Sequence, residues 1–151
     1  MIMRVTSGSS MLKVKNYQLV AVLEFLEKAA LKPRASRVRT KLVKLFYTKI
    51  DDLQGDEMAL LDKFGKKGEN GKLIENQGTF TLIEETAAEY HQEKRTLLEE
   101  TASVNVDELK DKLAVLMEEL ENSDTTVSGK DAEALDLLLD ALEEEVGTVK
   151  Q

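Results

Sequence analysis

The chain has 151 residues, enough for one domain, and its 42% hydrophobic content can supply a core, which excludes wholesale disorder. It contains no cysteine, which excludes disulfides, thiolate nucleophiles and cysteine-ligated zinc, and no apolar run approaches the ~20 residues of a membrane span. The net charge of −8 is unevenly distributed along the chain. Residues 1–50 carry eleven Lys and Arg against two Glu, a formal +9, while residues 51–151 carry ten against twenty-seven acidic residues, a formal −17. Such halves can pair internally or present opposite charges to different partners.

The first ten residues are expected to be a flexible leader. They lack the apolar stretch of a signal peptide and are rich in Ser, Thr and Gly, so that Met11 is an alternative start to Met1. We expect a single helical domain over residues 11–147 and a tail over residues 148–151. The sequence thus predicts synthesis in the cytoplasm with no membrane anchor.

Two helices are predicted in the basic half of the chain. Asn16 is a plausible N-cap for the first, and Pro33 should stop it because the residue before a proline is pushed out of the α region. The second begins near Ala35, with apolar residues on one side and basic residues on much of the other. Gly55 is expected to interrupt this second helix.

A short β-hairpin is predicted over residues 72–83. Asn70 and Gly71 form a strong turn signal just before it, and its two strands flank residues 76–78, where Gly78 can adopt a positive φ. An isolated hairpin is only marginally stable in water. We therefore expect it to pack against the helices or against a partner.

Three further helices are predicted in the acidic half. Residues 81–84 and 105–108 each resemble a capping box and mark the starts of the third and fourth helices, the third running to about Ala102. Ser128 caps the last helix, and Gly147 ends it. The fold class expected is mostly α, with about five amphipathic helices and the one hairpin.

No residue pattern identifies a catalytic, metal-binding or cofactor-binding site. A di-iron bundle site needs Glu-x-x-His pairs, whereas the only histidine, His91, is followed by Glu93 two residues later. The Gly-x-Ser-x-Gly elbow is absent, and residues 62–73 have the length of a calcium loop but place Phe64 and Lys66 where oxygen ligands belong. We expect no enzymatic activity and no cofactor, with His91 a partly exposed helix residue.

A basic block at the start of the second helix is the best candidate for a partner-binding site. Internal pairing with the acidic helices or docking to a protein is favoured over contact with nucleic-acid phosphates and over a merely solvated face. Aromatic residues for base stacking are missing from the block and the whole chain is acidic, which disfavours direct nucleic-acid binding. The block comprises Arg34, Arg37, Arg39, Lys41 and Lys44.

The acidic half offers an alternative partner-binding surface. Residues 107–146 carry fourteen Asp and Glu against three Lys, and closely spaced carboxylates can imitate a row of DNA phosphates. The same pattern is typical of the polar side of two amphipathic helices, which is the favoured interpretation. The candidate residues of this acidic surface are Glu118, Glu119, Glu121, Glu143, Glu144 and Glu145.

Several segments between residues 11 and 146 resemble a known family. They are residues 12–16, 35–42, 60–65, 70–72 and 128–132, the last followed by an acidic helix. In these segments the chain is similar to short proteins of unknown function encoded by bacteriophages and prophages of Gram-positive bacteria. The resemblance implies a phage or prophage origin and no known enzymatic role, and it supplies no catalytic residues.

The expected function is that of a non-enzymatic, phage-type accessory protein that binds another protein of phage or host origin. The alternative is an inhibitor of a host anti-phage defence nuclease or nucleic-acid-binding complex, acting through the acidic surface. Either protein would work in the bacterial cytoplasm, with virion association left open. If an apolar groove holds the partner, exposed members of the leucine set in the last helix should contribute, namely Leu135, Leu138, Leu139 and Leu142.

Overall fold

The computed structural model describes residues 10–123 and 125–150, and over these residues the chain is mostly α-helical with five α-helices, as the sequence predicts. Residues 1–9 of the expected leader lie outside the described residues. Two small antiparallel sheets accompany the helices. The helices are α1 (Leu19–Lys28), α2 (Pro33–Phe64), α3 (Ala87–Glu99), α4 (Leu113–Glu121) and α5 (Gly129–Lys150); the strands are β1 (Met11–Lys15), β2 (Glu75–Asn76), β3 (Thr79–Phe80) and β4 (Thr101–Asn105).

One hydrophobic core holds α1, the first part of α2, α4 and α5 together. It is built mostly from leucines, whose burial is the main favourable term in folding. The leucines of α5 belong to it: Leu138 and Leu142 are fully buried, while Leu135 and Leu139 pack against it half-buried. Leu138 and Leu142 are therefore not accessible to a partner, and of this set only Leu135 and Leu139 keep partial exposure.

The sheet formed by β1 and β4 is the largest departure from the sequence prediction. Leu12 pairs with Val104 and Val14 with Ala102, and all four side chains are buried on the core side. The third helix therefore ends before Ala102 rather than at it. Asn105 ends β4 instead of starting a helix, and its Oδ1 accepts a hydrogen bond from the Asp107 amide at 2.9 Å.

Ser10, the last residue of the expected leader, is part of the fold and lies next to β1. Ser10 is buried, its carbonyl accepts a hydrogen bond from the Val106 amide at 2.9 Å, and its own amide donates to Asp107. At the other end of β1, directly after Lys15, the Asn16 side chain donates to the Leu97 carbonyl at 2.8 Å. Asn16 therefore ties β1 to the end of α3, and the expected role of N-cap is not the one that it has.

Helix α2 is longer than predicted and continuous through Gly55. Its 32 residues span about 48 Å, and Pro33 opens it at the first helical position, where a proline costs no hydrogen bond. A glycine inside a helix costs only about 1 kcal/mol relative to alanine, which is too little to interrupt a helix of this length. Between Leu53 and Phe64 no residue of α2 is buried, so its last third leaves the core.

This last third of α2 carries a distal arm, which we define as residues 54–94. The Phe64 and Tyr90 rings meet edge to face at 6.1 Å between centroids, and both side chains are buried. The hairpin of β2 and β3 packs on the end of α2, since the Ile83 amide donates to the Phe64 carbonyl at 2.9 Å. The hairpin predicted over residues 72–83 is confirmed.

The helix ends differ from the capping predictions in the acidic half. Helix α3 begins at Ala87 after a short 3-10 turn, not at the box of residues 81–84, and α4 begins at Leu113 after a second such turn. Helix α5 continues through Gly147 to Lys150. Within the described residues, no helix combines the length and the apolar character needed to cross a membrane.

A side-chain hydrogen bond joins α1 to α2 on the exposed side of this helix pair. The Tyr47 hydroxyl donates to Glu27 Oε2 at 2.7 Å. This hydrogen bond, together with the negative charge of Glu27, raises the pKa of the Tyr47 phenol above its usual value. The contact is a polar link between α1 and α2 besides their apolar packing.

Candidate partner-binding site

Four basic side chains form one line along the first three turns of α2. They follow each other at spacings of three, four and three residues, which keeps them within an arc of about 80° around the helix. All four residues are exposed, and the line is roughly 15 Å long. We call this line the basic stripe; it comprises Arg34, Arg37, Lys41 and Lys44.

No side chain of the basic stripe forms an ion pair with any residue in the described ranges 10–123 and 125–150. The internal pairing that the sequence left open is therefore absent from this part of the chain, although the protein has 29 acidic residues. Four ion pairs lie elsewhere: Lys28–Asp131, Lys63–Glu93, Lys67–Asp62 and Lys94–Glu57.

Arg39 does not belong to the basic stripe, although the sequence placed it in the same block. Its Nη1 donates to the carbonyls of Leu26 and Ala29 at 2.8 and 2.9 Å, and its Nη2 donates to Ser36 Oγ at 3.1 Å. These carbonyls lie at the end of α1, where helices leave acceptors without partners. Arg39 thus joins α1 to α2 and is a structural residue.

The sequence did contain a signal that sets Arg39 apart. It lies about 140° around α2 from Arg34, outside the arc of the other four residues and close to the buried side that Leu42 and Phe46 mark. Residues on one side of a helix follow each other at spacings of three or four, and Arg39 does not fit this spacing with the other four residues of the block.

A shallow pocket opens along one edge of the basic stripe. It has a volume of about 180 Å³ and is lined by Arg34, Arg37 and Lys41 together with Lys112, which is exposed and immediately precedes α4. The packing of α4 on α2 brings Lys112 to this place. Sequence reasoning missed Lys112 because it stands in the acidic half, about seventy residues further along the chain. Val38 and Val115 complete the lining.

Glu119 and Glu145, both proposed for the acidic surface, accept hydrogen bonds from backbone amides of other elements. Glu119 Oε1 accepts a hydrogen bond from the Lys32 amide at 3.3 Å, just before α2 begins. Glu145 Oε1 accepts one from the Met11 amide at 2.6 Å, at the start of β1. These two carboxylates hold other elements in place and are only partly exposed.

The six acidic residues also fall into two separate groups. The end of α4 lies beside the start of α5, since Glu121 and Asp131 line the same hollow. Glu143 is twelve residues further along α5, roughly 18 Å away. The three glutamates at the end of α4 thus lie near the start of α5, whereas residues 143–145 lie in its second half, so the six do not form one continuous row.

His91 is exposed on α3, in ring-edge contact with Tyr90 at 5.3 Å between centroids. In residues 10–123 and 125–150, no group of three or more His, Asp or Glu side chains is placed to hold a metal ion.

Known proteins offer no relative that would identify this site. No protein-family model, curated protein or solved structure matches the chain. The resemblance to phage and prophage proteins stays a prediction from the sequence. The function therefore has to be inferred from the protein's own side chains.

Proposed function

We propose that this protein acts by binding, not by catalysis, and that the basic stripe docks on an acidic surface of a partner protein. The observation that supports the proposal is a line of four exposed cations that form no ion pair within the described part of a chain of net charge −8. Like charges three or four residues apart on a helix each cost ~0.2–0.5 kcal/mol. The stripe therefore slightly opposes folding, which favours a role in recognition.

The dimensions and composition of the stripe favour a protein over a nucleic acid as partner. The stripe extends for only roughly 15 Å, carries no aromatic side chain for base stacking and belongs to an acidic protein. A nucleic acid would be repelled by much of the remaining surface. The resemblance to phage and prophage proteins suggests a partner of phage or host origin and a phage-type accessory role for this chain.

The alternative function, inhibition of a nuclease through a phosphate-like acidic surface, has less support. A phosphate mimic needs a continuous row of free carboxylates. Glu119 and Glu145 instead bind backbone amides, and the two groups of glutamates are separated along α5. We therefore favour the basic stripe as the docking surface.

The proposal is tested by reversing charges on the stripe and comparing capture of the partner. The stripe variant carries Arg37→Glu, Lys41→Glu and Lys44→Glu. The matched control carries the same number of reversals at exposed lysines elsewhere, namely Lys13→Glu, Lys66→Glu and Lys72→Glu. Both should fold like the wild type, because exposed charges contribute only ~0–1 kcal/mol each.

Each tagged protein is used to capture partners from extracts of phage-infected Gram-positive cells, followed by mass spectrometry. We expect a protein that the wild type and the control retain and the stripe variant loses, with retention falling as salt rises. Equal loss in both variants would mean that net charge alone matters. Retention by the stripe variant, with its helix content unchanged by circular dichroism, would contradict the proposal.

A further inference from the structure

We propose that the pocket beside the basic stripe is a binding site for a phosphoryl group. We call it the cationic pocket, lined by Arg34, Arg37, Lys41 and Lys112. The inference deepens the proposed function. It rests on that function for the identity of the molecule that carries the phosphoryl group. It adds Lys112, a residue outside the stripe, and a chemical class of ligand.

The cationic pocket brings positively charged side chains from two elements to one place. Its volume of about 180 Å³ corresponds to the space of roughly six water molecules, which suits one compact anion. Cations reach it from two elements, α2 on one side and the turn before α4 on the other. An anion inside it can therefore contact several donors at once, whereas a flat stripe offers one or two.

The charge of the cationic pocket fits a phosphoryl group better than a carboxylate. The described residues that line it have a formal charge of +4 and include no Asp or Glu. A carboxylate brings one negative charge and two oxygens, but a phosphoryl group brings up to two charges and three acceptor oxygens. Arg34 and Arg37 can each present two parallel N–H groups to such oxygens, while Lys41 and Lys112 add point charges.

The surroundings of the pocket further favour phosphate binding. Val38 and Val115 supply apolar walls, which keep part of the surrounding water away and so strengthen nearby charge interactions. Arg34 is the second residue of α2, a helix whose N-terminal end carries a partial positive charge. Lys112 lies off the line of the stripe, so the cations that line the pocket do not all follow one line, as the contacts of a nucleic-acid backbone would.

The inference is tested with the full-length protein, inorganic pyrophosphate as the probe and Lys112 as the altered residue. Pyrophosphate is titrated into isotopically labelled protein at low salt, and amide shifts are followed by NMR. Lys112→Gln removes one donor from the pocket, and Lys110→Gln, an exposed lysine two residues away that does not line it, is the matched control. Both variants lose the same charge.

We expect shifts confined to residues 34–41 and 112–115 in the wild type and in the Lys110→Gln control. Lys112→Gln should weaken binding roughly tenfold, the loss of about one charge-assisted hydrogen bond. Equal weakening in both variants, shifts spread over lysines across the surface, or no saturable binding would each overturn the inference. Tighter binding of a DNA duplex than of pyrophosphate would also overturn it, in favour of a nucleic-acid track.

The carrier of the phosphoryl group is distinguished in the capture experiment. If phosphatase treatment of the extract abolishes capture, the phosphoryl group is on the partner protein, which supports the inference. If capture persists while the purified protein binds pyrophosphate saturably with the expected loss in Lys112→Gln, the inference stands and the phosphoryl group belongs to a separate small molecule. If pyrophosphate does not bind while the stripe variant still loses its partner, the inference fails and the proposed function stands.

Discussion

Replacing Phe46 by alanine is expected to lower the free energy of unfolding by about 3–5 kcal/mol. Phe46 is fully buried at the centre of the part of α2 that lies in the core. Removing its ring leaves a cavity that the surrounding leucines of α1, α4 and α5 cannot fill without moving. Urea denaturation followed by circular dichroism measures the change. A loss below about 1 kcal/mol would contradict the placement of Phe46 in the core.

Phe64 provides the matched control for this variant, because it is also a nearly buried phenylalanine on α2 but lies in the distal arm. Phe64→Ala removes the edge-to-face contact with Tyr90. We expect faster hydrogen exchange confined to the arm, residues 54–94, with the core amides still protected. Loss of protection throughout the chain would show that the arm and the core unfold as one unit.

Replacing Arg39 by methionine is expected to cost about 1–3 kcal/mol of stability, although Arg39 lies in the basic block. Methionine keeps much of the apolar stem but removes the donor to both carbonyls, so that the Ala29 carbonyl loses its partner and the Leu26 carbonyl keeps only the 3.3 Å bond from the Ala29 amide. Arg37→Met is the control, because Arg37 is exposed and unpaired among the described residues. Thermal or urea unfolding of the two variants separates the roles.

The two arginine variants should also differ in partner binding. Arg37→Met should weaken capture with little change in stability, whereas folded Arg39→Met should retain it, since its guanidinium faces α1. If the Arg39 variant were as stable as the wild type and failed to bind the partner, Arg39 would belong to the docking surface and the assignment would be wrong.

The helices could be predicted from the sequence because their apolar residues recur at helical spacing, and the hairpin because its turn residues are distinctive. Gln77 and Gly78 both have positive φ, as its tight turn requires. The β1–β4 sheet could not be predicted with the same tools. Its strands have only five residues each, and Leu12 and Val104 pair across about ninety residues of chain.

The candidate site was predictable in part for the same physical reason. Spacing along α2 identifies four cations on one side, and strict use of that spacing separates Arg39 from them. Lys112 could not be predicted from the sequence, because it lines the pocket only through the packing of α4 on α2. Gly55 shows the opposite error: a local preference worth only about 1 kcal/mol was taken to interrupt a helix that continues through it.

Site-specific photo-crosslinking tests most directly whether the basic stripe contacts the partner. A crosslinking amino acid replaces Thr48, an exposed residue one turn beyond Lys44 on the same side of α2, so that no charge of the stripe is lost. Control positions are Gln92 on α3 and Glu118 on α4, both exposed.

We expect an adduct with the partner from position 48 that disappears when Arg37 and Lys41 are reversed to Glu, and no such adduct from the two control positions. An adduct from Glu118 alone would contradict the assignment and favour the acidic surface as the binding site. An adduct from Gln92 alone would place the partner on the distal arm and would equally contradict it.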